Sequence, residues 1–182
     1  MAIEGQYNNF VSEFSRKLYE VKYRKDFSSV IFLCIGTDRI TGDSFGPLVG
    51  YHLKKLYKTF GGYSNVKVTG DLEYQISNQN IAEELKRIYR DFERPLIIVI
   101  DSALSKKENV GTIIVEENGM FIGSAIQKEK RVIGDISIKG VVSKNLKMPK
   151  YNFHMLSNIP LGLIMNMADI TSKGIYEVMK YY

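Results

Sequence analysis

The chain has 182 residues, 45% of them apolar, with 25 Lys plus Arg against 20 Asp plus Glu and a net charge of +5. A chain of this size buries about 70% of its unfolded surface, enough for a layered core without disulfides or structural metal. The basic residues, among them Arg16, Lys17, Lys54, Lys55, Lys58, Lys128 and Lys130, are scattered rather than gathered into an arm or stripe, so nucleic acid is not an expected partner.

Phe10, Phe14, Leu18 and Val21 recur at helical spacing and predict an amphipathic helix over residues 7–23. It belongs to an amino-terminal segment, 1–28, expected to pack on the core. Residues 29–35 are continuously apolar, the pattern of a strand buried on both faces, and end at Gly36. Cys34, the one cysteine, lies in this strand; no intrachain disulfide can form, and a packing role in a reducing compartment follows. A loop with Thr37, Asp38, Arg39, Thr41 and Gly42 leads to a helix over 44–60 carrying Phe45, Val49, Leu53, Leu56 and Phe60 on one face. Val66-Lys67-Val68 predicts a short strand, and Ser77 or Asn78 is the expected cap of a helix with the stripe Ile81, Leu85, Ile88 and Phe92.

Pro95 stops that helix and opens a second central strand to Ile100, which Asp101-Ser102-Ala103 is expected to terminate. Residues 110–116 and 135–142 alternate apolar with polar and predict two more strands. Between them Asn118 to Arg131, with its glycines and charges, is expected to be mobile. The helical pattern returns after Pro149, and Pro160 fits the first turn of a final helix with Leu161, Ile164, Met165, Ala168, Ile175, Val178 and Met179. Two buried strands separated by helices, without repeat or linker, predict one parallel α/β domain over 1–182. Apolar runs are of strand length rather than the ~20 residues of a membrane span, and residues 1–10 are polar, so a cytoplasmic protein without a membrane partner is expected.

In open parallel sheets ligands bind beyond the carboxyl ends of the strands. That rule selects Gly36 to Pro47 and Ile100 to Leu104, and predicts that Asp43 and Asp101 converge. Two carboxylates within about 4–6 Å cannot both ionise cheaply, so the pair offers one acid and one base. Together they could split an amide: the ionised member activates water, the protonated one serves the leaving nitrogen, and amides around Gly36, Thr37 and Ser44 steady the oxyanion. Taken singly, Asp43 reads as a helix cap beside Ser44 and Asp101 as a strand-end residue bonding loop amides. Asp38, Asp71, Glu73 and Asp135 also lie near predicted strand ends. Glycines 36, 42 and 46 match neither the dinucleotide fingerprint nor the P-loop, His52 and His154 lack metal-ligand spacing, and Ser44, Ser102 and Ser105 lack a nucleophile elbow. No cofactor is expected; the alternative use of the two carboxylates is to hold a divalent metal.

The run Cys34 to Gly50, with Gly36-Thr37-Asp38-Arg39-Ile40-Thr41-Gly42-Asp43-Ser44-Phe45-Gly46-Pro47 at its centre, closely resembles the signature of the YyaC-like sporulation proteins of endospore-forming bacteria. The resemblance continues through Ile98 to Leu104, Val110-Gly111, Ile136 to Val142 and Leu161 to Asp169, about residues 29 to 175. That family is similar to the germination protease of spores and, more distantly, to hydrogenase-maturation endopeptidases. The resemblance implies a three-layer α/β/α sandwich with a twisted, mixed, mainly parallel sheet of the phosphorylase/hydrolase-like kind. The essential aspartates of the germination protease match Asp43, in an Asp-x-x-Gly-Pro segment, and Asp101. The hydrogenase-maturation relatives bind nickel through two acids and a histidine, and no histidine here aligns with the third ligand. Gly119 to Ala125 departs from the Pro-Gly-x-Gly form of the family, and Ser102 after Asp101 is a second departure.

The combined reading is a sporulation-associated, aspartate-dependent peptidase in the cytoplasm of the sporulating cell. Asp43 and Asp101 are the catalytic pair, with Gly36, Thr37, Asp38, Ser44 and Ser102 in support and a protein or peptide as substrate. The alternatives are a non-catalytic sporulation factor that binds a peptide or small ligand in the same crevice, and a metal-dependent hydrolase.

Overall fold

The structure, a computed structural model, describes residues 2–122, 131–146 and 149–182. Its elements are α1 (Ala2–Arg24), β1 (Ser29–Cys34), α2 (Phe45–Phe60), β2 (Val66–Thr69), α3 (Ile81–Asp91), β3 (Pro95–Ser105), β4 (Ile113–Glu117), β5 (Met120–Ile122), β6 (Arg131–Ile133), β7 (Ile136–Lys144), α4 (Pro149–Ser157) and α5 (Leu161–Met179). The main sheet runs β2-β1-β3-β7-β4, with the first four strands parallel and β4 antiparallel to β7.

Strand alternation divides the apolar residues between two cores. Val30, Phe32 and Cys34 of β1 and Leu96, Ile98 and Ile100 of β3 pack with Phe14 and Leu18 of α1, Phe45 and Val49 of α2, and Ile164 and Ile175 of α5. On the other face Ile31, Leu33, Ile97 and Val99 meet Ile81 and Ile88 of α3, with Ile76 and Met120. Helices therefore lie on both sides of a mixed, mainly parallel sheet, and the central strands are apolar at every position because both faces are covered. Full burial of side chains such as Phe14 and Leu18 contributes about 2 kcal/mol each to docking α1.

The crossover from β1 to β2 uses α2 on one face, and that from β2 to β3 uses α3 on the other. The chain leaves β1 toward β2 on one side and leaves β3 toward β7 on the other, so the connections diverge at the carboxyl end of the β1–β3 pair. Such a switch point leaves a crevice there.

Several expectations are corrected. β3 does not stop at Asp101 to Ala103 but continues to Ser105, because β7 keeps pairing with it after β1 has ended at Cys34. Asp101 pairs with Lys139 and Ser102 with Gly140, and an irregularity follows Ala103. The cap position of α3 is Asn80 rather than Ser77 or Asn78; its Oδ1 accepts the Ser77 N–H at 2.8 Å, and the Ser77 carbonyl accepts the Ile81 N–H. The strand predicted from 110 begins at Ile113, after a 3₁₀ turn over Lys107–Asn109. Within Asn118 to Arg131, part of the segment expected to be mobile is regular: β5 and β6 pair as an antiparallel ribbon. The remainder of that expectation, and of the departing Gly119 to Ala125 stretch, falls on residues 123–130, outside the described residues. Among the described residues no helix is long and apolar enough to cross a membrane.

Candidate active site

The carboxyl end of β1 is clamped on both sides. The Ile35 N–H donates to the Ile100 carbonyl at 2.8 Å, and the Gly36 N–H to the Ile76 carbonyl at 2.8 Å. Two glycines then let the start of α2 press onto the strand ends. Gly36 has φ +133, and a Cβ there would collide with the Asp43 carbonyl oxygen and come within 3.1 Å of Pro47 Cδ. A Cβ on Gly46 would overlap the Ile35 carbonyl oxygen and lie 2.8 Å from that of Ile100. The Asp-x-x-Gly-Pro segment is thus a docking device: Gly46 and Pro47 seat the helix, and Asp43 is carried in the 3₁₀ turn Thr41–Asp43 just before it. The unpaired N–H groups of a first helical turn, with the positive end of the helix dipole, face this end of the sheet.

Asp43 accepts the Thr37 N–H on Oδ2 at 3.0 Å, and its carbonyl accepts the same N–H at 3.1 Å. Burial pushes its carboxyl up to about 6, against the opposing effect of the Thr37 bond. Asp101 stands one position beyond the end of β1, on the sheet face that Ile97 and Val99 share. Its Oδ1 accepts the Ser102 N–H at 2.7 Å. Burial raises the Asp101 carboxyl well above the usual carboxylate range, and the neighbouring Asp43 charge raises it further. Asp43 thus sits in the turn that follows β1 and Asp101 at the adjoining carboxyl end of β3, near enough for the Asp43 charge to act on the Asp101 carboxyl.

The supporting residues take other positions than expected. The Gly36 N–H is held by Ile76, the Ser44 N–H and hydroxyl both turn to the Thr41 carbonyl at 3.2 and 2.6 Å, and the Thr37 N–H holds Asp43. These groups fix the loop and its acid; none is a free oxyanion donor, because a loop tight enough to seat α2 closes its amides on itself. Asp38 is exposed in the turn. Ser102 ties Asp101 through its N–H, while its buried Oγ has no partner among the described residues and alternation points it to the opposite face.

The other acids near predicted strand ends are engaged elsewhere. Asp71 pairs with Lys54 and accepts the Glu73 and Tyr74 N–H groups at 2.8 and 2.7 Å. Asp135 bonds Lys25 at 2.6 Å and the Ile97 N–H at 2.9 Å, at the opposite, amino end of β3. Among the described residues no group of three or more His, Cys, Asp or Glu side chains could hold a metal ion. The paired carboxylates alone fall short of the six or more oxygens of a calcium or magnesium shell, so a metal would rely on water and substrate. Cys34 lies behind the site with no exposed surface, and burial pushes its thiol far up, consistent with packing alone.

Two neighbours escaped the sequence reading. Gln75 receives the Thr37 hydroxyl proton on Oε1 at 2.7 Å. Lys139 stands beside Asp101 in the parallel register, on the same face, with its ammonium bonded to Glu116. No motif marks either residue; alternation placed Lys139 in a strand, and only the pairing register sets it next to Asp101.

Known proteins resemble the chain at three levels. The protein named "Uncharacterized protein YyaC" of Bacillus subtilis (strain 168) is 32% identical over 146 residues, 80% of this chain and 67% of that one. The [NiFe] hydrogenase maturation protease HycI from Thermococcus kodakarensis KOD1 shares the fold, with a TM-score of 0.55 at 18% identity, covering 85% of this chain and 94% of that chain. A peptidyl-tRNA hydrolase structure reaches a TM-score of 0.49 at 11% identity over 86% of this chain and 95% of that one, too low for argument. A family model described as "Protein of unknown function (DUF1256)" matches residues 3–174, and the chain belongs to that family.

Proposed function

We propose that the protein is an aspartate-dependent peptidase in which Asp43 is the general base and Asp101 the general acid. What supports this reading is the position of Asp43 in the turn after β1 and of Asp101 at the adjoining carboxyl end of β3, with burial raising both carboxyls and the Asp43 charge raising Asp101. Two such carboxyls share one proton, and this reading gives it to Asp101, whose neutral form is favoured by burial and by the Asp43 charge. The Asp43 carboxylate takes a proton from water as the water oxygen bonds to the scissile carbonyl carbon. Asp101 then gives its proton to the amide nitrogen as the C–N bond breaks, and proton transfer from Asp43, directly or through solvent, restores Asp101. One water and one amide yield a carboxylic acid and an amine.

The protease named among the fold relatives supports the reaction class and a protein or peptide as substrate, and the resemblance of Cys34 to Gly50 to the sporulation-protein signature supports a role in the sporulating cell. The test is a screen of peptide mixtures read by mass spectrometry. Asp43→Asn and Asp101→Asn should each lower cleavage by at least about 10²-fold while the fold is retained, with a bell-shaped pH profile whose acid limb lies near 6. Equal activity in wild type and both variants contradicts the proposal. Inhibition by a chelator would replace it with the metal-dependent reading, and tight capture of a peptide without cleavage with the binding factor.

A further inference from the structure

Hydrolysis through the acid pair places negative charge on the carbonyl oxygen, and that charge needs a donor already in place. The amides of Gly36, Thr37 and Ser44 do not provide one, since each N–H is already engaged. Gln75 does have an unused donor. The Thr37 hydroxyl donates to Gln75 Oε1 at 2.7 Å and accepts the Arg39 N–H at 3.3 Å. With Oε1 held in this way, the Nε2 donors of the same amide have no partner among the described residues.

The backbone beneath is held on both sides. Asn80 Nδ2 donates to the Gln75 carbonyl at 2.9 Å, and the Gly36 N–H holds the Ile76 carbonyl. Ile76 is fully buried, while Gln75 itself remains partly exposed. Thr37 therefore bridges the two groups: its N–H orients the Asp43 carboxylate and its hydroxyl orients the Gln75 amide, one on each side of a single residue.

We propose that Gln75 Nε2 is a catalytic donor, placed by Thr37 to hydrogen-bond the carbonyl oxygen of the scissile amide as it becomes an oxyanion. The assignment rests on the amide-hydrolysis reading above. Gln75 forms no covalent bond and moves no proton; it strengthens a hydrogen bond as charge develops. Side-chain amides in this role typically lose 10² to 10³ in kcat on removal.

The probe is a trypsin digest of casein, with initial rates taken on the fastest-cleaved peptide and folding followed by thermal melting. Gln75→Ala and the similarly sized, uncharged Gln75→Met should each lower kcat by about 10²-fold with KM within about twofold of wild type, leaving the acid limb of the pH profile in place. Thr37→Val keeps the N–H on Asp43 but frees the amide, and should lower kcat by about 10-fold. Should Gln75→Ala fail to fold, Gln75→Met carries the test. Wild-type kcat in the Gln75 variants, on a peptide that Asp43→Asn no longer cleaves, overturns the Gln75 role and leaves the acid pair standing. A lowered kcat accompanied by a displaced acid limb also overturns it, because Gln75 would then act only through Asp43. A wild-type chain that cleaves no peptide removes both assignments together.

Discussion

Asp43→Asn should stabilise the protein at neutral pH while disabling it. Folding takes the Asp43 carboxyl from its ordinary 3.8 to about 6, so it ionises less readily folded than unfolded. A group raised in this way contributes stability that is complete below 3.8 and is lost as pH rises through 6. At about 1.4 kcal/mol per tenfold change in proton affinity, the rise from 3.8 to about 6 is worth about 3 kcal/mol. Asp43 is partly open to solvent, and screening reduces this to about 1–2 kcal/mol. Asparagine removes the ionisation and still offers an oxygen to the Thr37 N–H. Urea unfolding at pH 7.5 should therefore show Asp43→Asn more stable by about 1–2 kcal/mol, with an unchanged m-value and a Tm higher by about 2 to 8 °C. At pH 4 the difference should nearly vanish. Asp101→Asn should act in the same direction, since burial and the Asp43 charge both raise that carboxyl. Equal or lower stability of Asp43→Asn at pH 7.5, or a gain that is the same at pH 4, would refute the view of Asp43 as a destabilised buried acid.

Other consequences follow from packing at the site. Gly46→Ala should cost about 3 kcal/mol or more and abolish any activity, because its methyl would overlap the Ile35 carbonyl and force α2 off the strand ends; a urea titration reads the loss. Cys34 should resist alkylation at pH 8 in the native protein and react only on unfolding, since its thiol has no exposed surface and burial disfavours the thiolate. Rapid labelling of the folded chain would mean that β1 opens locally.

The central strands were legible because burial on two faces writes a continuous apolar run, as in Val30 to Ile35 and Leu96 to Ile100. The helices α1, α2 and α5 were legible from stripes such as Phe10, Phe14 and Leu18. The placing of Asp43 and Asp101 near the carboxyl ends of β1 and β3 followed from a rule about strand ends together with a family resemblance. What could not be read depended on pairing. β3 runs past Asp101 only because β7 accompanies it, and Lys139 faces Asp101 only by register. The β5–β6 ribbon is three residues long on each side, too short for alternation to declare it. The loop amides expected to be free are closed by contacts local in space but not in sequence, with Gly36 on Ile76 and Thr37 on Asp43, and the same closure brought Gln75 to the site without any motif.

Carboxyl-carbon NMR titration of the aspartates, in the wild-type chain and in Asp43→Asn, tests the pairing most directly. Asp43 should titrate near 6 and Asp101 well above the ordinary carboxylate range, with the Asp101 midpoint falling once position 43 carries no charge. Two carboxyls titrating in the ordinary range, or an Asp101 midpoint indifferent to Asp43→Asn, would show that the acids do not share one crevice.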